Sequence, residues 1–173
     1  VLSVQTLVRR IRQRLHDTDK ITYDDEEIID CINNGIRFIR RVVASINPAL
    51  LMSEHQGILT TGLESITLTV RPTKIINVTI GDEGKPLYQT EMSLAIHEGI
   101  YETGEPKSFF LTGAKTVHFY PKPATNTKYV IRTIDDVEEI GAEDSSPLNN
   151  EFDDFLIDYV VIRLSVGNEY DMT

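Results

Sequence analysis

Apolar residues recur at three- and four-residue spacing over the first sixteen positions, where Val4, Leu7, Val8, Ile11 and Leu15 share one helical face. The pattern predicts a helix over residues 1–16, with Arg9, Arg10, Arg12 and Arg14 mostly on its other face, read as solvated or as facing an acidic neighbour. Asp17-Thr18-Asp19 breaks it. A second helix is predicted from Asp24, which stands three residues before Glu27 as in a capping box. The opening run Asp24-Asp25-Glu26-Glu27 suits the positive end of the helix dipole and needs no metal to explain it. Ile28, Ile32, Ile36, Ile39, Val43 and Ile46 follow at spacings of 4, 4, 3, 4 and 3, a one-sided stripe. Arg37, Arg40 and Arg41 lie off that stripe, and Pro48 ends the helix.

From Gly57 the period changes to two. Ile66, Leu68 and Val70 alternate with threonines, and Ile76, Val78 and Ile80 alternate next. Gly81-Asp82-Glu83-Gly84 offers a turn, with Leu87 and Tyr88 starting a return strand. Residues 93–99 read as a short helix or an irregular lid. Strands are predicted again at Phe109 to Leu111, Val117 to Tyr120 and Tyr129 to Ile134, with Gly113-Ala114-Lys115 as a hairpin turn and Pro121-Lys122-Pro123 as a stop, since proline cannot donate to a ladder. The expectation is a mostly antiparallel sheet of about five or six strands over residues 57–135.

Residues 135–146 form an acidic linker with Asp136, Glu138, Glu139, Glu143 and Asp144. A last helix is predicted after Pro147, capped by Asn149 or Asn150 and carrying Phe152, Phe155, Leu156, Tyr159, Val160 and Leu164. Val161 and Ile162 widen its apolar surface nearly all round, which predicts burial between the first two helices and a neighbouring chain. Asp153, Asp154 and Asp158 gather near its start, where the dipole favours them. The order helix, helix, sheet, helix predicts an α+β single domain over residues 1–173. Its helical bundle comprises two N-terminal helices and the C-terminal one (residues 1–50 and 147–173), with an inserted, mostly antiparallel β-sheet lobe at 57–135.

Composition narrows the function classes. The chain has 173 residues, enough for one domain with a core of its own. Its single cysteine, Cys31, excludes an internal disulfide framework and a four-cysteine zinc site, and its apolar setting predicts an inert, buried thiol. No apolar run approaches the roughly 20 residues that a membrane span needs. The arginine-rich opening does not read as a secretory signal, so the expected compartment is the cytoplasm or an assembly built there. Residues 1–50, 51–136 and 137–173 carry net charges of +1, −2 and −9, which together make the chain's −10. Such a chain suits a surface that does not grip DNA, because phosphate binding depends on Lys and Arg.

Candidate chemistry is sparse. His16, His55, His97 and His118 are scattered, with no pair at zinc-ligand spacing. His118 alternates with Val117 and Phe119 and reads as a surface or satisfied strand residue. No Walker loop or Gly-x-Ser-x-Gly elbow occurs. Tyr88, Tyr101, Tyr120 and Tyr129 are candidates for a ligand platform, with strand packing as the plainer reading. No catalytic, cofactor-binding or metal-ligating residues are assigned. A structural protein is expected; the alternatives are a monomeric ligand- or peptide-binding module and an unrecognised enzyme.

Three passages carry a resemblance. Tyr23-Asp24-Asp25-Glu26-Glu27-Ile28-Ile29 leads to Ile32-Asn33; Gly104-Glu105-Pro106 leads through Gly113 to His118-Phe119-Tyr120-Pro121-Lys122-Pro123; and Pro147-Leu148 leads to Phe152 and the closing helix. In this order they are similar to the head-to-tail adaptor (connector, tail-tube gatekeeper) proteins of tailed bacteriophages. Here Tyr23 stands where Trp is more usual. The chain also stops at Thr173, where members often continue into a tail that docks on the portal. The resemblance implies a homo-oligomeric ring of about twelve copies under the portal protein. It implies a tail or nozzle protein at the other end, and DNA passing through without specific binding. The place implied is the virion neck, assembled in the host cytoplasm, with no membrane and no cofactor. Arg9, Arg10, Arg12, Arg37, Arg40, Arg41 and Tyr170 are then candidates for the subunit or portal interface. Asp153, Asp154 and Asp158, with the 135–144 linker, are candidates for the channel lining.

Overall fold

The computed structural model describes residues 2–92 and 102–170, with side chains described as far as residue 166. The chain divides into two compact units, Val1–Asn47 with Val137–Thr173, and Pro48–Asp136. Among the described residues the first contains three α-helices, α1 (Val4–Leu15), α2 (Asp25–Ile46) and α3 (Asp153–Tyr170). Ser3 caps α1, its hydroxyl accepting from the Thr6 amide, and Asp24 caps α2, accepting from the Glu27 amide at 2.6 Å. Val4, Leu7 and Ile11 of α1 are fully buried, as are Ile28 and Ile32 of α2, and Ile36, Ile39 and Val43 continue the stripe. Ile46, expected inside that stripe, is exposed: it is the last residue of α2 and overruns the packed stretch.

The first two helices both pack on α3. Gly35 makes the α2–α3 approach possible, since a Cβ there would sit 2.6 Å from Leu156 Cδ1 and 2.9 Å from the Tyr159 ring. Helix α3 starts later than the predicted asparagine cap. A 3₁₀ turn over Asn150–Phe152 precedes it, and the Asn149 side chain makes no capping bond.

The second unit begins with a 3₁₀ turn, Pro48–Leu51, and among the described residues then holds ten short strands. β1 (Met52–Leu59), β10 (Thr127–Asp135), β3 (Pro72–Ile80) and β4 (Lys85–Pro86) form one antiparallel sheet in that order. β2 (Ser65–Thr67), β8 (Thr116–Tyr120), β7 (Ser108–Thr112) and β5 (Tyr88–Gln89) form a second, with β5 parallel to β7. β6 (Thr103–Gly104) and β9 (Lys122–Pro123) pair separately. One core serves both sheets: Leu59, Val78, Ile80 and Ile131 from the first meet Val117, Phe119 and Phe109 from the second. The expected single sheet is therefore corrected to two four-stranded sheets and a two-stranded pair, and its start moves from Gly57 to Met52. Alternation shows which side chains face inward, but two sheets facing a shared core produce the same alternation as one. Leu68 and Val70 fall outside β2, and residues 93–99 lie outside the described residues.

Candidate assembly surface

In the helical unit the connection between α1 and α2 is organised by Arg12. Its side chain is only about 5% exposed, and its guanidinium contacts Asp17 Oδ2 at 2.7 Å, Asp25 Oδ1 at 2.7 Å and the Tyr23 carbonyl at 2.9 Å. Asp17 in turn accepts from the amides of Ile21, Thr22 and Tyr23. The Thr22 amide bond leads a set of contacts, Arg12 among them, that hold the Asp17 carboxyl below its ordinary value against the effect of burial. Asp25 is held down by Lys20 at 2.6 Å and by Arg12. Tyr23 then donates its hydroxyl to the Leu164 carbonyl, tying this loop to α3. By its sequence alone Asp17 is a helix breaker and Arg12 one of a row of arginines on the polar face of α1. Asp17 five residues after an arginine near the helix end was the available signal.

The acidic segment after β10 is not a free linker. The Asn33 amide group donates to the Ile140 carbonyl at 3.0 Å and accepts from the Ile140 amide at 2.9 Å, a reciprocal backbone lock. Arg37 pairs with Glu139, Gln5 donates to Glu143, and the Val4 amide donates to the Asp144 carbonyl. In the sequence Asn33 stands out only as part of the Ile32-Asn33 passage that carries the resemblance.

A second apolar row remains outside the helical core. On α3, Phe155 (69% exposed), half-buried Tyr159, Ile162 (60%) and Val166 recur at spacings of 4, 3 and 4, opposite the buried Leu156, Ile157, Val160 and Leu164. Phe38 of α2 stacks on Tyr159 with ring centroids 5.2 Å apart, and Val42 follows it one turn on, also exposed. The surface thus runs across two helices. Asp154 and Asp158 flank it on α3, both facing Arg14 of α1.

The expected interface residues divide. Arg9, Arg10 and Arg41 are exposed; Arg37 is exposed and paired with Glu139; Arg40 is half-buried. Arg12 is corrected: it is buried and its charge is neutralised inside the unit by Asp17 and Asp25. Tyr170 belongs to α3, and its side chain lies outside the described residues. Among the channel candidates, Asp153 is corrected too. It is 5% exposed, its Oδ1 has no hydrogen-bond partner, and burial pushes its carboxyl above the ordinary value despite the opposing charge of Arg10. A buried carboxyl lines no channel. Asp154 and Asp158 are exposed.

One cluster in the β unit has the residue types of a nucleophile relay without its geometry. His55 Nε2 lies 3.0 Å from Thr133 Oγ1 and 3.2 Å from Asp135 Oδ1, and Thr133 Oγ1 donates to the same carboxylate at 2.6 Å. In a relay the carboxylate and the nucleophile sit on opposite ring nitrogens. Here one nitrogen faces both, and Thr133 is fully buried. Burial would raise the Asp135 carboxyl, but hydrogen bonds from Thr133, Ser53 and His55 outweigh it and hold it below the ordinary value. The cluster fastens β1 to β10. His118 is satisfied by Thr112 at 2.7 Å and stacks on Phe110. The tyrosines do not assemble: Tyr120 is buried, Tyr129 packs on the core, Tyr88 is exposed, and Tyr101 lies outside the described residues. Cys31 is half-buried rather than buried, and desolvation raises its thiol. No described helix is long and apolar enough to cross a membrane.

A helical layer with a core on one side and a charged, apolar face on the other is the make-up of an assembly subunit. Comparison with known families gives the more particular result. The model of the SU10 adaptor protein family matches residues 2–172, and the chain belongs to that family. It is a phage adaptor, a structural class rather than a class of enzyme. No curated protein matches the chain.

Proposed function

We propose that the chain is a head-to-tail adaptor subunit of a tailed phage. Copies form a ring of about twelve under the portal, in the neck, and DNA crosses the ring on its way to the tail. The helical bundle (residues 1–50 and 147–173) is the assembling body, and the sheet lobe is its insertion. The observation that carries this reading is the outer row Phe38, Val42, Phe155, Ile162 and Val166, apolar surface that a lone helical unit leaves in water. Family membership supports the setting. Exposed Arg9, Arg10 and Arg41, with Arg37 and Arg40, are the groups offered to the portal or to the next copy; Tyr170 is kept as a candidate from the sequence alone. The net charge of −9 in residues 137–173 suits a passage that does not hold DNA.

The test is the mass of the full chain in solution at rising concentration, alone and mixed with the portal protein of the same phage. A ring-sized species in either sample is expected. A chain that stays monomeric in both, and that binds a small ligand or turns over a substrate instead, overturns the reading.

A further inference from the structure

A groove of about 520 Å³ opens on the helical unit between α1 and the first turns of α2. Its apolar lining includes Val8, Ile29 and Ala142, and its polar lining includes Arg9, Gln13 and Lys20. Arg12 and Asp25 also line it; since Arg12 is already neutralised by Asp17 and Asp25, the three cations and two carboxylates leave one positive charge in excess. Lys20 and Arg12 share Asp25, whereas Arg9 has no ion pair among the described residues. The groove therefore fits apolar side chains that arrive with carboxylates beside them.

The same unit carries that counterpart. Phe155 and Ile162 stand out from α3, and Asp154 and Asp158 each precede an outward aromatic, Phe155 and Tyr159, by one residue. The groove and the row share no residue. Helix α1 meets Asp154 and Asp158 through Arg14, which does not line the groove. Two complementary surfaces on different parts of one unit make a heterologous contact, the kind that closes a ring when repeated.

We infer that α3 of one copy seats Phe155 and Ile162 in the α1–α2 groove of the next, with Asp154 and Asp158 facing Arg9 and Lys20. A carboxylate has two oxygens, so both aspartates keep Arg14 while accepting a second cation. The inference rests on the ring reading above, since it needs copies to meet.

The test uses the full chain with Cys31→Ser as background and single cysteines at Gln13→Cys or Ile162→Cys. It is run on the oligomer, formed alone or on the portal. Mixing the two variants under oxidation should give a disulfide-linked dimer that neither gives alone, and a chain with both substitutions should give a ladder. Arg9→Glu should weaken association on the order of tenfold, and adding Asp154→Arg should restore part of it. An oligomer that forms with the parent's affinity in Arg9→Glu, or that crosslinks only Ile162 to Ile162, overturns this contact while leaving the ring reading intact. A chain monomeric under every condition overturns both.

Discussion

The two units hide their apolar residues in different ways. The β unit turns the inner faces of two sheets onto one cluster, and its exposed apolar residues among those described follow no helical or strand period: Leu50 and Met52 at its start, Ile58 on β1, Leu63 and Val70 in loops, Tyr88 on β5, and Met92. The helical unit buries one stripe of each helix and leaves a second, regularly spaced one outside. Polar groups differ as well. The β unit has a hydrogen-bonded latch at His55, Thr133 and Asp135, whereas the helical unit encloses a full guanidinium and its carboxylate. The difference teaches that regular leftover apolarity, not its amount, separates a surface made for a partner from the ordinary apolar share of any protein surface.

The largest effect expected on this contrast comes from the shared β core. Phe119→Ala should cost about 4 kcal/mol, with amide-exchange protection falling in the β strands more than in the helices. Next is Arg12→Met, which strands the carboxylate of Asp17 and should destabilise the helical unit by about 3 kcal/mol. Urea unfolding followed by exchange should place that loss in α1, α2 and residues 17–23; equal loss in the β strands would break the distinction between the units. Phe155→Ser and Ile162→Ser should change the monomer's stability by less than about 0.5 kcal/mol while reducing self-association, measured by sedimentation. A large fall in monomer stability would show that the row is core after all.

The smallest effects lie in pH dependence, and the signs oppose. Asp17 and Asp25 have carboxyls held below their ordinary value, so their stabilisation is present above about pH 3.8 and lost as pH falls through the lower native values. Asp153 is raised, so its contribution is present below that pH and lost as pH rises through its native value. Asp153→Asn should therefore match the parent in strong acid and exceed it at neutral pH in a series of thermal melts.

Much of the helical unit was legible because helical period reports burial directly. Val4, Leu7 and Ile11 and the row from Ile28 to Val43 needed no partner to be read, and neither did the Asp24 cap. The excess apolarity of α3 was legible for the same reason. The strands were legible one by one, since β7, β8 and β10 stand where alternation put them. Their partners were not. Met52 faces Ile134 across 82 positions of chain, and no local pattern encodes that register. The same holds for charge. Composition shows arginines and aspartates in number, but whether one is solvated or enclosed depends on what folds over it. Arg12 and Asp153 are buried because a loop and a helix end close around them, whereas Arg9 and Asp154, of the same types and one turn or less away, remain in water. Local spacing determined the elements and their inward faces; long-range packing alone decided the sheet partners and which charges left the solvent.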